Sequence, residues 1–187
     1  MIYFDNAATT RVSDTAAQAA ISAMTELYAN PSSAHAFGFE AEKALRAARA
    51  AVLAALGFTP SEGSLVFTGS GSEADNLALR GAAHALARRG KHIVLSDSEH
   101  PAVENTAKDL EKEGFTLSRL STKGGKLDLD EARAVLTPDT ILVSCMAVNN
   151  ETGAIYDIAS LASLAKALCP NALFHTDAVQ AFTKIPA

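Results

Sequence analysis

The stretch FTGSGSEADNLAL, residues 67–79, joins a short apolar run to a helical pattern through a turn rich in glycine and serine. A strand, a glycine-rich turn and a helix in this order commonly bind anions. The first helical turn has N–H groups without intrahelical partners, and the helix dipole favours negative charge there. Three cofactor classes use this arrangement, so the turn alone leaves the ligand open.

Short apolar runs alternate with helical patterns from about residue 64 onward. The runs predict five strands: LVF 65–67, HIVL 92–95, FTLSRL 115–120, TILVSCM 140–146 and NALF 171–174. The patterns between them predict helices over 73–89, 101–113, 128–136 and 158–168, and two Ala-rich helices precede them over 14–28 and 39–56. Because β and α segments alternate, we expect a three-layer αβα domain with a mainly parallel sheet.

The composition restricts the classes of partner. The chain has 187 residues, 48% of them apolar, and a net charge of −5. No run of Lys or Arg exceeds two residues, so we expect neither nucleic acid nor a membrane as a partner. No secretory leader or membrane-spanning window is found, and cytoplasm is the expected location. We interpret Cys145 and Cys169 as reduced packing residues.

The glycine-rich turn is compatible with two different cofactors, and also with a helix cap that binds no ligand. No lysine follows the glycines, which argues against a P-loop. The spacing Gly69-x-Gly71-x-x-Ala74 satisfies the loose dinucleotide fingerprint, and Asp97 follows at the place of a ribose-binding acid. A dehydrogenase is therefore an alternative.

Two carboxylates in the first helical turn, Glu73 and Asp75, are unfavourable beside a pyrophosphate. Pyridoxal phosphate has a single phosphate, which a few N–H groups and the hydroxyls of Ser70 and Ser72 could hold. A helix cap without any ligand also explains the motif.

Three more polar clusters follow predicted strands: SDSEHPAV 96–103, AVNNETG 147–153 and HTDAVQAF 175–182. Strand ends of this kind form the ligand-binding edge of open α/β sheets. Pyridoxal phosphate needs a phosphate cup, a flat group on its ring, a donor near its phenolic oxygen and an acid at its pyridine nitrogen. Each cluster could supply one of them.

Two other chemistries have weaker support. A metal site could draw on Asp97, His100, His175 and Asp177, but the H-E-x-x-H and C-x-x-C spacings are absent, and no metal is expected. A serine hydrolase would need G-x-S-x-G, and GSGSE has Glu73 in place of the last glycine.

The whole chain resembles the cysteine desulfurases of the NifS/IscS type, which are class V aminotransferase-like enzymes of pyridoxal phosphate fold type I. The motifs that carry the resemblance are FDNAATT 4–10, NPSSAHAFG 30–38, FTGSGSEADNLAL 67–79, SEHPAV 98–103, VNNETGAI 148–155 and HTDAVQAF 175–182. They cover essentially the full length and are highly specific.

The resemblance implies a role for six residues in binding pyridoxal phosphate. Gly71 and Ser72 would bind the phosphate, and His100 would stack on the ring. Asp177 would pair with the ring nitrogen, and two amides would lie near the phenolic oxygen, those of Asn150 and Gln180. The family pattern also suggests pocket or dimer contacts for His175 and for residues 6–9 and 30–35.

The resemblance also implies that the catalytic residues lie outside these 187 residues. The family's Schiff-base lysine, persulfide-forming cysteine and substrate-binding arginine would follow beyond the last residue, and Lys184 matches a loop lysine. We therefore expect residues 1–15 to pack with a missing small domain and residues 16–187 to form an incomplete cofactor-binding large domain. Such an N-terminal half is expected to be inactive alone.

The expected whole enzyme is a homodimeric transferase that removes sulfur from L-cysteine. It would leave alanine and an enzyme persulfide for iron–sulfur clusters or another sulfur acceptor. Alternatives are a selenocysteine lyase, a class V aminotransferase, or a truncated module for binding or dimerisation without catalysis.

Overall fold

The computed structural model describes residues 2–185, which contain six α-helices and four β-strands. The helices are α1 Asp14–Thr25, α2 Ala36–Ala55, α3 Gly71–Leu86, α4 Pro101–Lys112, α5 Leu129–Val135 and α6 Ile158–Leu168. The strands are β1 His92–Ser96, β2 Thr116–Leu120, β3 Thr140–Ser144 and β4 Leu173–His175. Among residues 2–185, no helix combines the length and the apolar character that spanning a membrane requires.

The described residues form two compact units. The sheet unit comprises residues 2–9 and 68–184, and the helical unit comprises residues 10–67 and 185. The helical unit contains α1 and α2, and the sheet unit contains the other elements. The boundary predicted at residue 15 stays a prediction.

All four strands pair in parallel, in the order β2-β1-β3-β4. Ile93 of β1 lies opposite Leu117 of β2 and Leu142 of β3, and Val143 lies opposite Phe174 of β4. The predicted parallel sheet is confirmed. Because the strands run in the same direction, the segments that follow them leave from one edge of the sheet.

Two hydrophobic cores cover opposite faces of the sheet. Ile93 packs with Leu79 of α3 and Leu110 of α4. Its neighbour Val94 packs in the other core, which includes Leu161 of α6. Successive side chains of a strand point to opposite faces, so a continuous apolar run supplies both cores. The three-layer αβα arrangement is confirmed.

The strand predicted at residues 65–67 is wrong. The carbonyl of Leu65 accepts a hydrogen bond from Arg49 Nη1 at 2.6 Å, and no ladder forms over these residues. The Arg49 guanidinium lies 4.7 Å from the ring centroid of Phe67. A strand requires a neighbour for its backbone N–H and C=O groups, and a short apolar pattern does not identify one.

The predicted helices are all present, with ends displaced by a few residues. The helix predicted over 158–168 is confirmed at both ends as α6. The helix predicted over 73–89 begins earlier, at Gly71, because Ser70 caps its first turn, and it ends at Leu86. The helix predicted over 14–28 ends at Thr25.

Gly90 is expected to tolerate no side chain, because an added β carbon would lie 2.2 Å from the backbone oxygen of Asp139. Gly90→Ala should lower the free energy of unfolding by roughly 1–3 kcal/mol through this overlap. The matched control is Gly81→Ala in α3. A β carbon there meets no heavy atom of the described residues within 4 Å, its chain neighbours and own helix backbone excepted.

The Gly81→Ala protein should be more stable by about 0.5–1 kcal/mol, since alanine favours helix over glycine. Urea unfolding of the three proteins measures both effects. Equal stability of Gly90→Ala and the parent protein would show that the backbone just before β1 does not lie as close to Asp139 as described.

Candidate functional site

A cavity of about 290 Å³ lies at the carboxyl edge of the sheet, within the sheet unit. The structure brings all six residues that the sequence predicted as cofactor ligands to the lining of this one cavity. They are Gly71, Ser72, His100, Asn150, Asp177 and Gln180. These residues are up to 109 positions apart in the sequence, so the fold, rather than local spacing, assembles them.

The N-terminus of α3 forms one wall of the cavity. Ser70 Oγ accepts a hydrogen bond from the N–H of Glu73 at 3.2 Å. Glu73 Oε2 accepts one from the N–H of Gly69 at 2.7 Å, so this carboxylate turns back onto the preceding loop. Helical geometry gives the N–H groups of Gly71 and Ser72 no intrahelical partner. The wall therefore offers backbone donors and the positive end of the helix dipole.

His100 is fixed at the start of α4. Its Nδ1 accepts a hydrogen bond from the N–H of Ala102 at 3.1 Å, and Pro101 occupies the first helical turn. An accepting Nδ1 leaves the proton of the neutral ring on Nε2. The cap fixes both the position and the tautomer of a flat ring that lines the cavity.

The two neighbouring asparagines have different roles. Asn149 Oδ1 accepts hydrogen bonds from the N–H groups of Glu151 and Thr152, and its Nδ2 donates to the carbonyl of Ser98. These contacts make Asn149 the turn-forming residue. Asn150 lines the cavity. Asn149 therefore holds the loop that presents Asn150.

Asp177 is a buried carboxylate, 7% exposed, in the lining of the cavity. Its Oδ1 accepts a hydrogen bond from the N–H of Val179 at 2.9 Å, and its backbone oxygen accepts one from the N–H of Ala147. Ala147 follows β3 and holds the backbone of Asp177, and Val179 follows β4 and holds its side chain. A buried carboxylate favours a cationic partner in the space that it faces.

Gln180 is held between two parts of the sheet unit. Its Nε2 donates to the carbonyl of Ala8 at 3.3 Å, and its Oε1 accepts from Lys184 Nζ at 2.6 Å. Lys184 Nζ also donates to the carbonyl of Asn6. The sequence indicated only a loop lysine at position 184. The structure shows that Lys184 orients the amide of Gln180.

Sequence reasoning missed the pairing of Asp75 with His175. Asp75 is 5% exposed and lines the cavity, and its Oδ1 lies 3.5 Å from His175 Nε2. His175 does not line the cavity, and its Nδ1 contacts Ser144 Oγ at 3.0 Å. Spacing could have placed Asp75 on the cavity side of α3, because it follows Gly71 by four positions, but no local sequence signal pairs it with His175.

Asp97, the acid of the dinucleotide alternative, braces a loop. Its Oδ1 accepts hydrogen bonds from both the N–H and the hydroxyl of Thr122, at 2.9 and 2.6 Å. It does not line the cavity. Within residues 2–185 no group of three His, Cys, Asp or Glu side chains is placed to hold a metal ion.

Both cysteines are free, buried thiols. Burial, with a smaller effect from the charge of Glu99, raises the pKa of Cys145 to about 12. Its Sγ donates to the carbonyl of Met146, and Cys169 Sγ donates to that of Thr137. A thiol that stays protonated near neutral pH is a poor nucleophile.

The family model described as aminotransferase class-V matches residues 2–187. The chain belongs to this family. Enzymes of the class-V aminotransferase family depend on pyridoxal phosphate.

Two curated relatives of this chain are described as cysteine desulfurases. The protein of Trichormus azollae is 46% identical over 187 residues, which are 100% of this chain and 46% of the relative. Cysteine desulfurase IscS of Neisseria meningitidis serogroup C is 42% identical and covers 99% of this chain and 45% of its own length. The chain thus spans about half the length of these relatives.

Solved structures show the same fold. A NifS-like protein superposes with a TM-score of 0.90 at 38% identity, over 99% of this chain and 50% of the other. A structure titled SspA in complex with cysteine gives a TM-score of 0.84 at 36% identity, over 98% of this chain and 52% of the other. The expected pyridoxal phosphate fold type I is confirmed for this class-V chain.

Proposed function

We propose that the cavity binds pyridoxal phosphate and that the protein is a cysteine desulfurase, for which this chain supplies the cofactor cradle. One observation carries the proposal: a single cavity is lined by an anion-binding helix terminus, a fixed imidazole, two amides and the buried carboxylate of Asp177. These groups match the phosphate, ring face, phenolic oxygen and ring nitrogen of that cofactor.

The phosphate belongs at the N-terminus of α3. The N–H groups of Gly71 and Ser72 would donate to it, and the helix dipole adds attraction for a dianion. Glu73 does not oppose this binding, because its carboxylate is turned back to the N–H of Gly69. Ser70 fixes the first turn through its cap and keeps these donors in place.

His100 and Asp177 would hold the ring of the cofactor. The cap of α4 holds His100 in one orientation, which suits stacking on a planar ring. Gln180 Oε1 is occupied by Lys184 Nζ, so its NH₂ group is the end that can donate to a phenolic oxygen. The amide of Asn150 would supply a second polar contact there.

Asp177 would hold a proton on the ring nitrogen of the bound cofactor. A carboxylate beside that nitrogen stabilises its protonated form, and its burial strengthens the attraction. When bound, pyridoxal phosphate supplies an electron sink for bonds at the substrate α-carbon. The hydrogen bond from Val179 keeps the Asp177 carboxylate oriented for this task.

The substrate proposed is L-cysteine, with alanine as the product. Support comes from the relatives described as cysteine desulfurases and from the structural neighbour titled as a complex with cysteine. Neither Cys145 nor Cys169 suits the thiol that would take up the sulfur, since both are buried. We assign that thiol to another segment of the protein.

The proposal extends to the partners. A homodimer and a sulfur acceptor, such as an iron–sulfur scaffold protein, fit a desulfurase of the IscS type. Cytoplasm is the compartment proposed, because two unpaired thiols persist most readily where the redox poise is reducing.

Asp177→Asn should weaken the binding of pyridoxal phosphate by about 10- to 100-fold, equal to about 1.4–2.8 kcal/mol, because the ring-nitrogen proton loses its counter-charge. Titration of the purified chain with pyridoxal phosphate, followed by absorbance and equilibrium dialysis, measures the change. Asp97→Asn is the matched control, since it makes the same substitution outside the cavity. Equal loss in both variants, or no saturable binding by the parent chain, would contradict the proposed cradle.

The full-length product of the gene is expected to release alanine and sulfide from L-cysteine in the presence of a thiol reductant. The 187-residue chain should bind the cofactor without this activity. Alanine formation is measured by chromatography, with Asp177→Asn as the inactive reference. Formation of alanine from selenocysteine but not from L-cysteine would identify a selenocysteine lyase instead of a desulfurase. Transfer of the amino group to a 2-oxo acid would identify an aminotransferase.

A further inference from the structure

A line of four polar side chains, two buried and two half-buried, lies behind the candidate cofactor site. It runs from Asp75 in α3 to His175 at the end of β4, then to Ser144 at the end of β3, and then to Glu99 after β1. The contacts along it are 3.5 Å from Asp75 Oδ1 to His175 Nε2, 3.0 Å from His175 Nδ1 to Ser144 Oγ, and 3.4 Å from Ser144 Oγ to Glu99 Oε1. The line therefore connects four separate elements.

Glu99 has no assigned role in holding the cofactor, yet it contacts the wall of the cavity. Its Oε1 also accepts hydrogen bonds from Ser96 Oγ at 2.9 Å and from the N–H of Met146 at 3.0 Å. Met146 lines the cavity. Glu99 thus connects the end of β1 to the end of β3 directly beneath the site.

The two oxygens of Glu99 have unequal surroundings. Three donors converge on Oε1, whereas Oε2 is buried without a hydrogen-bond partner among the residues that the structure describes. A buried carboxylate with one unpaired oxygen is costly. In the neutral acid the carbonyl oxygen carries less charge, so the same surroundings cost less.

The groups around Glu99 shift its pKa in opposite directions. Burial raises the pKa of Glu99 to about 7, and the negative charge of Asp177 adds to this shift. Hydrogen bonds from Ser96 and Met146 and the charge of His175 oppose it. Asp75 lies beyond His175, and the Cys145 thiol, with its pKa raised to about 12, stays neutral.

We propose that Glu99 is a positioning residue that shares one proton with His175 through the hydroxyl of Ser144, and that this proton sets the charge next to Asp177. In one arrangement the acid O–H of Glu99 donates to Ser144 Oγ, and the Ser144 O–H donates to His175 Nδ1. In the other, Ser144 donates to the Glu99 carboxylate and accepts from His175 Nδ1–H. Two hydrogen shifts connect the arrangements: the Glu99 proton passes to Ser144 Oγ while the Ser144 hydroxyl proton passes to His175 Nδ1, so the net change is the transfer of one proton from Glu99 to His175.

The consequence for the site rests on the proposed binding of pyridoxal phosphate. In the acid form Glu99 adds no negative charge beside Asp177. A protonated ring nitrogen next to Asp177 offsets the charge that raises the pKa of Glu99, so cofactor binding promotes loss of the Glu99 proton. By linkage, this effect strengthens cofactor binding as pH rises through about 7.

The first test needs no cofactor. The ring-nitrogen chemical shifts of ¹⁵N-labelled His175, assigned with His175→Gln, are followed by NMR against pH in the full chain. These shifts should report the ionisation of Glu99 as a step near pH 7 in the parent chain, and this step should be absent from Glu99→Gln.

The matched control is Glu104→Gln, an ion-paired carboxylate in the first turn of α4. Bonds to Arg119 and Lys108 hold the pKa of Glu104 below its ordinary value although burial opposes them. This variant should keep the step near pH 7 in the His175 shifts. The same pH profile of these shifts in the parent chain and in Glu99→Gln would overturn the proposal.

Infrared spectroscopy of the parent chain with ¹³C-labelled glutamate covers the case in which Glu99→Gln does not fold. A protonated carboxyl band is expected below pH 7 and should disappear above it, and its absence at about pH 6 would overturn the proposal. Ser144→Ala interrupts the line and should remove the step near pH 7 from the His175 shifts.

Pyridoxal phosphate titrations then separate the two proposals. The parent chain should gain more affinity between about pH 6 and 8 than Glu99→Gln does, by up to roughly tenfold if one proton is released in full. A Glu99-dependent step near pH 7 in the His175 shifts without any cofactor binding would support the shared proton and reject the proposed function. Binding with the same pH dependence in both proteins would reject the role of Glu99 in the site.

Discussion

Parallel pairing of the strands is the constraint on which the site depends. A parallel ladder satisfies the backbone N–H and C=O groups of each strand only if neighbours run in the same direction. The segments after β1, β3 and β4 therefore leave the sheet side by side. These segments carry His100, Asn150 and Asp177, and their convergence follows from backbone hydrogen bonding rather than from any attraction between the three side chains.

Burial of both sheet faces determines the chemistry of that edge. The cores on either side remove water from the strands, so ionisable groups at the strand ends are poorly solvated. The structure meets this cost with partners: His175 lies between Asp75 and Ser144, and Asp177 accepts from a backbone N–H. Glu99 meets it instead with a raised pKa. One desolvated edge thus carries both the proposed cofactor cradle and the proposed shared proton.

Local sequence patterns predicted most of the fold and six of the residues that line the cavity. Residues 158–168 have a clear helical period and form α6 as predicted, whereas residues 65–67 are apolar without forming a strand, because apolarity does not supply a ladder partner. Each of the six predicted ligands follows an apolar run in a polar cluster, and all six line one cavity. The contacts between Asp75 and His175 and between Glu99 and Ser144 join residues far apart in sequence, and no local signal pairs them.

The central claim is that these side chains form one cradle for pyridoxal phosphate. A crystal structure of the chain grown with pyridoxal phosphate tests it most directly. The account predicts the phosphate at the N–H groups of Gly71 and Ser72 and the ring nitrogen beside the carboxylate of Asp177. A ring nitrogen turned away from Asp177, or a phosphate bound outside the α3 N-terminus, would contradict it.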